Sequence, residues 1–541
     1  MVTKKITGAQ LLVQTMEKIG VECAFGIPGV HNLKIYEALT KSSIRHVTSR
    51  NESGAGFMAD GYGRSTGRPG TAIVITGPGL TNILTPMGQA YLDSVPMVVI
   101  SSQLPTTIMN QSTGFLHELK NSTIVAGAVA KESRRVTAAS QIEEMIGWAY
   151  RLAVSGRPGP VHVEIPLDIL AQELVGVNQE MNKDSQCLAD YEASLKKAAA
   201  LINQAGRVTI ITGGGAVGAA AEVSTLCEKI KAAVVSTCAG KGVVSEKSPL
   251  HLGARLPFRE VRQYVEESDL VLALGTQLAA TDLWENNIKF KGMLVQFDCD
   301  SEAFYRNFPA DLGVKGDCRD LLKDLLPLID EKNQQPEEIL QGLKRVAIKN
   351  GPAVTGNDKT YDLAMEVLAV FRNVLREADI LLADMTTAAY IALSEYEAYL
   401  PRTFLHPVGF GTLGYSVPAA IGAKVANPLK NVIALTGDGG FQFTMQELAV
   451  ACEQNLPIPI VIWNNGGYGE IKRNEAAMGF DSFIAVDNKN PDFIKLAQAY
   501  EIDGLRPKNQ QELKEALAKS FKKNQPTIIE INVNDWEEAS L

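Results

Sequence analysis

The chain has 541 residues, with 52 Lys plus Arg against 61 Asp plus Glu, a formal charge of −9 and 45% hydrophobic residues. At roughly 150 residues per domain this length predicts three or four domains of an ordinary soluble globular protein. The charges are spread without blocks, which gives no reason to expect nucleic acid or an anionic membrane as a partner. Seven cysteines, with no CxxC and no short Cys/His cluster, indicate neither a zinc site nor a disulfide framework. The start lacks the apolar core of a signal peptide, and no apolar run approaches the roughly 18 residues of a membrane span. A cytoplasmic protein is expected.

In chain order, helical periodicity at Ala9 to Ile19 is followed by Cys23-Ala24-Phe25 and the turn Gly26-Ile27-Pro28-Gly29. Strand signals follow at Thr71 to Thr76, Pro96 to Ser101 and Val161 to Ile165. A polar stretch, Asn178 to Gln186, reads as a linker. A helix at Asp190 to Ala205 then leads to strands at Val208 to Ile211, Ala233 to Ser236, Leu270 to Leu274 and Met293 to Phe297. Residues near 331 to 360 read as a second linker. The last block carries apolar strands at Ile380 to Leu382, Val432 to Leu435, Ile458 to Trp463 and Thr527 to Ile531. Strands separated by helices pair in parallel, with helices on both faces. The predicted fold class is therefore α/β, with three doubly wound parallel-sheet domains at 1–175, 188–335 and 360–541.

Two stretches carry chemistry. In the first, Gly437-Asp438-Gly439-Gly440 forms a strand-to-helix turn, and Asn464-Asn465 ends the next apolar strand. The Asp438 carboxylate and the Asn465 carbonyl are hard oxygens suited to Mg²⁺ or Ca²⁺. The glycines let a diphosphate approach the backbone, and a helix beginning near Phe441 turns its amides toward that anion. The second stretch is Ser49-Arg50-Asn51-Glu52-Ser53-Gly54-Ala55-Gly56, a Glu at a predicted helix start. Such a Glu serves the helix dipole in the simplest reading. The small residues after it leave room for a backbone or a flat ring.

These phrases resemble the thiamine diphosphate (ThDP) motif and the cofactor segments of the acetolactate synthase and 2-oxo acid decarboxylase family. Gly26-Ile27-Pro28-Gly29, Gly77-Pro78-Gly79-Leu80-Thr81-Asn82, Tyr91-Leu92-Asp93-Ser94-Val95-Pro96, Gly213-Gly214-Gly215-Ala216 and Gly411-Thr412-Leu413-Gly414-Tyr415 extend the likeness along nearly the whole chain. The resemblance implies pyrimidine-binding, central and diphosphate-binding domains, in that order. It implies a homodimer or homotetramer with each ThDP shared between Glu52 of one subunit and Asp438 of another. Glu52 would meet the aminopyrimidine ring, and Asp438, Asn465 and the Gly467 carbonyl would ligate Mg²⁺. Leu413 would prop the bent cofactor. Pro78, Asn82, Thr386, Thr387, Gly411, Thr412, Gly437, Gly439, Gly440 and Tyr468 fall in the matching cofactor segments. His117 lies close to an active-site position of the family, where an imidazole could move protons near neutral pH. His31 is a second candidate of that kind.

The likeness carries an activity. It implies decarboxylation of a 2-oxo acid through a ThDP enamine, which leaves as an aldehyde or passes to a second 2-oxo acid. Synthases usually have Met at the position of Leu413 and a Trp near Asn474. Their flavin-contacting wording is replaced here by Leu252 to Phe258 and Thr276 to Asp282. These departures tilt the expectation from acetolactate formation, and from an FAD-containing oxidase, toward decarboxylation. The literal GxGxxG at Gly409 to Gly414 lacks the preceding strand and the later acidic residue of a dinucleotide site, and NAD is not expected.

Overall fold

The computed structural model describes residues 5–109, 111–175, 191–284, 288–333, 336–350 and 358–536. The first expected linker, 178–186, lies outside them. Nineteen strands follow one another among the described residues. The N-terminal block contributes β1 (Lys5–Thr7), β2 (Cys23–Gly26), β3 (Arg45–Thr48), β4 (Gly70–Val74), β5 (Met97–Gln103), β6 (Glu132–Arg135), β7 (Pro160–Pro166) and β8 (Glu173–Val175). The central block contributes β9 (Val208–Thr212), β10 (Ala233–Ser236), β11 (Leu270–Leu274), β12 (Met293–Asp298) and β13 (Leu312–Lys315). The C-terminal block contributes β14 (Ile380–Ala383), β15 (Phe404–Leu405), β16 (Val432–Gly437), β17 (Pro459–Asn464), β18 (Asp503–Leu505) and β19 (Thr527–Asn532).

They form three parallel sheets, ordered β3-β2-β4-β5-β7-β6, β10-β9-β11-β12-β13 and β15-β14-β16-β17-β19-β18. The α/β expectation holds. The short β1–β8 ribbon is antiparallel. Strands such as Thr-Ala-Ile-Val in β4 and Ile-Val-Ile-Trp in β17 are apolar at successive positions because helices cover both sheet faces. In each sheet the chain leaves its first-formed strand to one side and later returns to the other. The switch points lie between β2 and β4, β9 and β11, and β14 and β16. Ligands of open α/β sheets bind beyond the carboxyl ends of strands at such points. Gly26–Gly29 and Gly77–Gly79 follow β2 and β4, while Asp384–Thr386 and Asp438 follow β14 and β16.

The outer blocks share one core. Helix Glu52–Thr66 crosses helix Ser416–Ala426 through a reciprocal pair of glycines. A Cβ on Gly61 would lie 2.0 Å from the Ala419 carbonyl oxygen, and one on Gly422 would lie 1.9 Å from that of Met58. The backbones therefore touch, and apolar side chains from both blocks, including Phe25, Met58, Tyr415 and Phe441, form a single buried cluster. Two fully buried ion pairs, Arg255–Glu395 and Lys241–Glu246, each 2.8 Å long, lie where the central block meets the C-terminal one.

Residues 337–350, expected within a linker, instead form a helix, Glu337–Asn350, whose Leu340 and Ala347 pack into the central core. Their spacing of seven is a helical face that the surrounding Lys, Gln and Asn composition obscured. No helix among the described residues is long and apolar enough to cross a membrane.

Candidate active site

At the β14/β16 switch point, Asp438 opens helix Asp438–Thr444 immediately after β16, three residues earlier than the expected start at Phe441. Burial raises the Asp438 carboxyl above its ordinary range, against a lowering by the Asn490 amide. Asn490 also donates to Asn464 Oδ1 at 3.0 Å, and Asn464 donates to Glu530 Oε1 at 2.7 Å. These bonds hold the strand end that presents Asn465.

The Asn465 side-chain oxygen faces two other oxygens, that of the Gly467 backbone at 2.9 Å and Asp438 Oδ1 at 3.3 Å. Turned over, the amide nitrogen would donate to both. With oxygen in place, Asn465 faces two further acceptors, a repulsive arrangement that a cation among them would relieve. An octahedral Mg²⁺ with bonds of about 2.1 Å places adjacent ligand oxygens about 3.0 Å apart. The two separations from Asn465 lie near that spacing.

The turn around the trio is cut close. A Cβ on Gly437 would lie 3.0 Å from Thr386 Oγ1, one on Gly439 would lie 2.9 Å from the Tyr468 ring, and one on Gly440 would lie 3.2 Å from Asp384 Oδ2. Thr386 precedes helix Thr387–Glu395 without capping it through its side chain, so its hydroxyl is left against the Gly437 turn. Thr387 Oγ1 donates to Glu470 Oε1 at 3.1 Å, and Glu470 is also held by Arg473.

Sequence reasoning missed Asp384. It is fully buried, with its carboxyl pushed up by burial to about 6. It accepts from Met385 N at 2.8 Å, Gly414 N at 3.1 Å and Thr436 Oγ1 at 3.2 Å. Asp384 thereby ties the Gly411-Thr412-Leu413 turn to the end of β16. Gly411 and Gly414 have φ of +65° and +80°, and Leu413 between them is half-buried instead of joining the core. The signal for Asp384 was present, since it stands at the end of an apolar strand just as Asp438 does.

At the β2/β4 switch point, Glu52 begins helix Glu52–Thr66 behind the N-cap Asn51. Asn82 Nδ2 donates to Glu52 Oε2 at 3.0 Å, which fixes the carboxylate against the helix that starts at Pro78. The expected ring-sized gap beside Gly54 and Gly56 is filled from within the chain. A Cβ on Gly54 would lie 2.3 Å from Glu447 Oε1, and one on Gly56 would lie 2.4 Å from Pro86.

His31 and His117 meet beside this turn with ring centroids 4.8 Å apart. Their Nδ1 atoms are both buried and without a hydrogen-bond partner. Burial, with a smaller contribution from His117, lowers the His31 pKa. His117 has φ of +68°, and its backbone lies over Gly77, where a Cβ would come within 2.8 Å of it.

The sequence-predicted residues thus form two clusters in one chain. Asp438 opens the helix Asp438–Thr444 and Glu447 ends the separate 3₁₀ turn Met445–Glu447 that follows it. The fully buried Phe441 lies between them, and Glu447 contacts the Asn51 backbone beside Glu52.

A cavity of about 410 Å³ opens beyond the central sheet, lined by Gly214, Gly215 and Gly275 and by Asp282, Asp298 and Asp300. Burial and Asp93 push the Asp282 carboxyl up to about 7. The cavity's cationic side chains have partners: Arg157 donates to Ser94 and to the Leu92 carbonyl, Arg306 pairs with Asp300 and Glu302, Arg64 pairs with Asp93, Arg402 donates to the Arg64 carbonyl, and Lys241 pairs with Glu246. The lining thus mixes carboxylates with four arginines and a lysine.

Three family models match the chain: the thiamine pyrophosphate enzyme N-terminal TPP binding domain over residues 6–124, the central domain over 195–325 and the C-terminal TPP binding domain over 384–531. The probable 2-ketoarginine decarboxylase AruI of Pseudomonas aeruginosa is 36% identical over 98% of this chain and 94% of that protein. A probable acetolactate synthase large subunit of Methanocaldococcus jannaschii is 31% identical over 98% of this chain and 92% of that protein. The acetolactate synthase isozyme 1 large subunit of Escherichia coli is 29% identical over 99% of this chain and 95% of that protein. The chain belongs to the thiamine pyrophosphate enzymes, in the family of acetolactate synthases and 2-oxo acid decarboxylases. It is a ThDP-dependent enzyme of 2-oxo acid decarboxylation and carboligation.

Proposed function

We propose that this protein binds ThDP and Mg²⁺ between two subunits in the cytoplasm and decarboxylates a 2-oxo acid with a cationic side chain, releasing the aldehyde. The observation that carries this reading is the oxygen trio of Asp438, Asn465 and Gly467 at one switch point. Bound ThDP supplies a carbon nucleophile for the 2-oxo carbon and a positively charged ring that takes up the electrons freed as CO₂ leaves.

The protein does the rest. Asp438, Asn465 and Gly467 hold Mg²⁺ and, through it, the diphosphate. Gly437, Gly439 and Gly440 keep side chains out of the anion's way, with Thr386, Thr387 and Tyr468 around it. Leu413, presented by the turn of Gly411 and Thr412, props the cofactor. Glu52, oriented by Asn82 on the helix that begins at Pro78, shares a proton with the pyrimidine ring. His31 and His117 bring two imidazole nitrogens to the same end of the site, where His117 acts as a proton donor to the product carbon.

The reading requires a homodimer or homotetramer. Within one chain, Glu52 contacts Asn82 and lies beside Glu447, while Asp438 contacts Asn490, and no hydrogen bond joins the two clusters among the described residues. Apolar side chains left exposed near both clusters, among them Val30, Leu116, Phe443 and Met478, favour a partner over them. The six described cysteines are free thiols, in keeping with a reducing compartment. The cationic substrate rests on the 36% identity to a protein named as a 2-ketoarginine decarboxylase, and on Glu470, a carboxylate beside Thr387 that a guanidinium could take from Arg473.

Incubating the enzyme with ThDP, Mg²⁺ and a panel of 2-oxo acids tests this, with CO₂, aldehyde and acetolactate-type products measured separately. Aldehyde in step with CO₂, with the guanidino acid turned over best, is expected. Acetolactate as the main product from pyruvate would overturn the decarboxylase reading. His117→Ala is expected to slow aldehyde release about 100-fold while leaving single-turnover CO₂ release near the wild-type rate. An equal loss in both steps would remove the proton-donor assignment.

A further inference from the structure

Glu447 is a carboxylate with no solvent exposure, in the short 3₁₀ turn Met445–Glu447 of the diphosphate-binding block, yet it serves the pyrimidine-binding block of the same chain. Its Oε1 accepts from Asn51 N at 3.0 Å and its Oε2 accepts from Arg50 N at 3.0 Å. Those two amides precede Glu52, at the end of the helix where backbone donors lack intrahelical partners. Gly54 leaves the space that the carboxylate fills, because any Cβ there would collide with it. The Arg50 guanidinium does not compete, being held outside by Glu453.

We propose that Glu447 is a positioning residue for Glu52. By bonding the backbone amides of Arg50 and Asn51 it fixes the turn that aims the Glu52 carboxylate, and it ties that turn to the 3₁₀ segment Met445–Glu447 that follows the helix beginning at Asp438. The inference rests on the ThDP role given to Glu52 above. A purely structural Glu447 would stabilise the fold without affecting proton transfer at the cofactor.

Two measurements on the full-length protein test this. The first is amide hydrogen exchange in the cofactor-free protein. Glu447→Ala is expected to speed exchange at Arg50 and Asn51 by at least about tenfold through loss of their acceptor. The second is exchange of the C2 proton of ThDP with solvent deuterium, at saturating ThDP and Mg²⁺. Glu447→Ala is expected to slow it by at least about tenfold, and Glu447→Gln, which keeps one acceptor oxygen for Asn51, is expected to restore part of the loss. ThDP affinity should stay within about threefold of wild type in both. Unchanged amide protection at Arg50 and Asn51, or wild-type C2 exchange in a folded and saturated Glu447→Ala, would overturn the proposal. If the alanine variant fails to fold, the same two readings on Glu447→Gln decide the matter. Absence of ThDP-dependent exchange from the wild type would instead count against the proposed function, and the amide measurement would still judge the link between Glu447 and the Glu52 turn.

Discussion

Glu52→Gln is expected to lower C2 proton exchange and turnover about 1,000-fold while leaving ThDP bound with nearly wild-type affinity. The glutamine oxygen can still accept from Asn82 Nδ2, which lies 3.0 Å from the glutamate oxygen, so the turn keeps its shape. What is lost is a group able to share a proton with the pyrimidine ring. A carboxyl alternates between acid and carboxylate; an amide does not. The change removes chemistry and spares binding. Full exchange in this variant would mean that Glu52 is only an acid in the first turn of helix Glu52–Thr66, favourable to the helix dipole.

Asp438→Ala is expected to do the reverse. It removes one of the three oxygens around the proposed Mg²⁺ position and leaves Asn490 without its carboxylate acceptor. Changes to the groups that merely orient a metal's ligands cost about 10- to 100-fold in affinity, so loss of a ligand should weaken Mg²⁺-dependent retention of ThDP by at least about 100-fold. Stability of the cofactor-free protein should not fall, because a buried carboxyl whose pKa is raised by desolvation is costly to fold. Equilibrium dialysis with and without Mg²⁺ measures the effect. Unaltered retention would rule out the ligand role.

How much of this could be read in the sequence follows from burial. Strands covered on both faces, such as β4, β5, β16 and β17, are continuous apolar runs and stood out within a residue or two of their observed bounds. The buried edge strand β10 did as well, but exposed edge strands did not. Arg-His-Val-Thr in β3, Glu-Ser-Arg-Arg in β6 and Asp-Gly-Leu in β18 are short and partly exposed, and each pairs on one side only. Without two apolar faces such segments carry no clear period. The Gly409–Gly414 run is preceded only by the two-residue strand Phe404–Leu405, and not directly.

The site was legible where a local turn is needed, and obscure where a distant side chain supports that turn. Asp438, Asn465 and Glu52, the proposed site residues, lie in glycine-rich or strand-end phrases that can be read locally. Glu447 sits in Met-Gln-Glu-Leu, which reads as the polar face of a surface helix. Only the fold reveals that it reaches the backbone some 400 positions earlier. Asn490 likewise reaches back to Asp438 across the strand end. The pairing of His31 with His117 joins the loop after β2 to the segment lying over Gly77, a juxtaposition set by the strand order β2-β4 and not by spacing along the chain.

The central claim, one cofactor held between two copies of the chain, is tested most directly by mixing defects. Chains carrying Glu52→Gln and chains carrying Asp438→Ala, each inactive alone, are co-expressed with different tags, and the mixed oligomer is purified through both. In a site shared across the interface, one of the two sites in every mixed dimer keeps both Glu52 and Asp438. Activity should therefore return to about half of the wild-type value per dimer. A site built within a single chain would leave both copies defective, and a mixed oligomer as inactive as its parents would contradict the account.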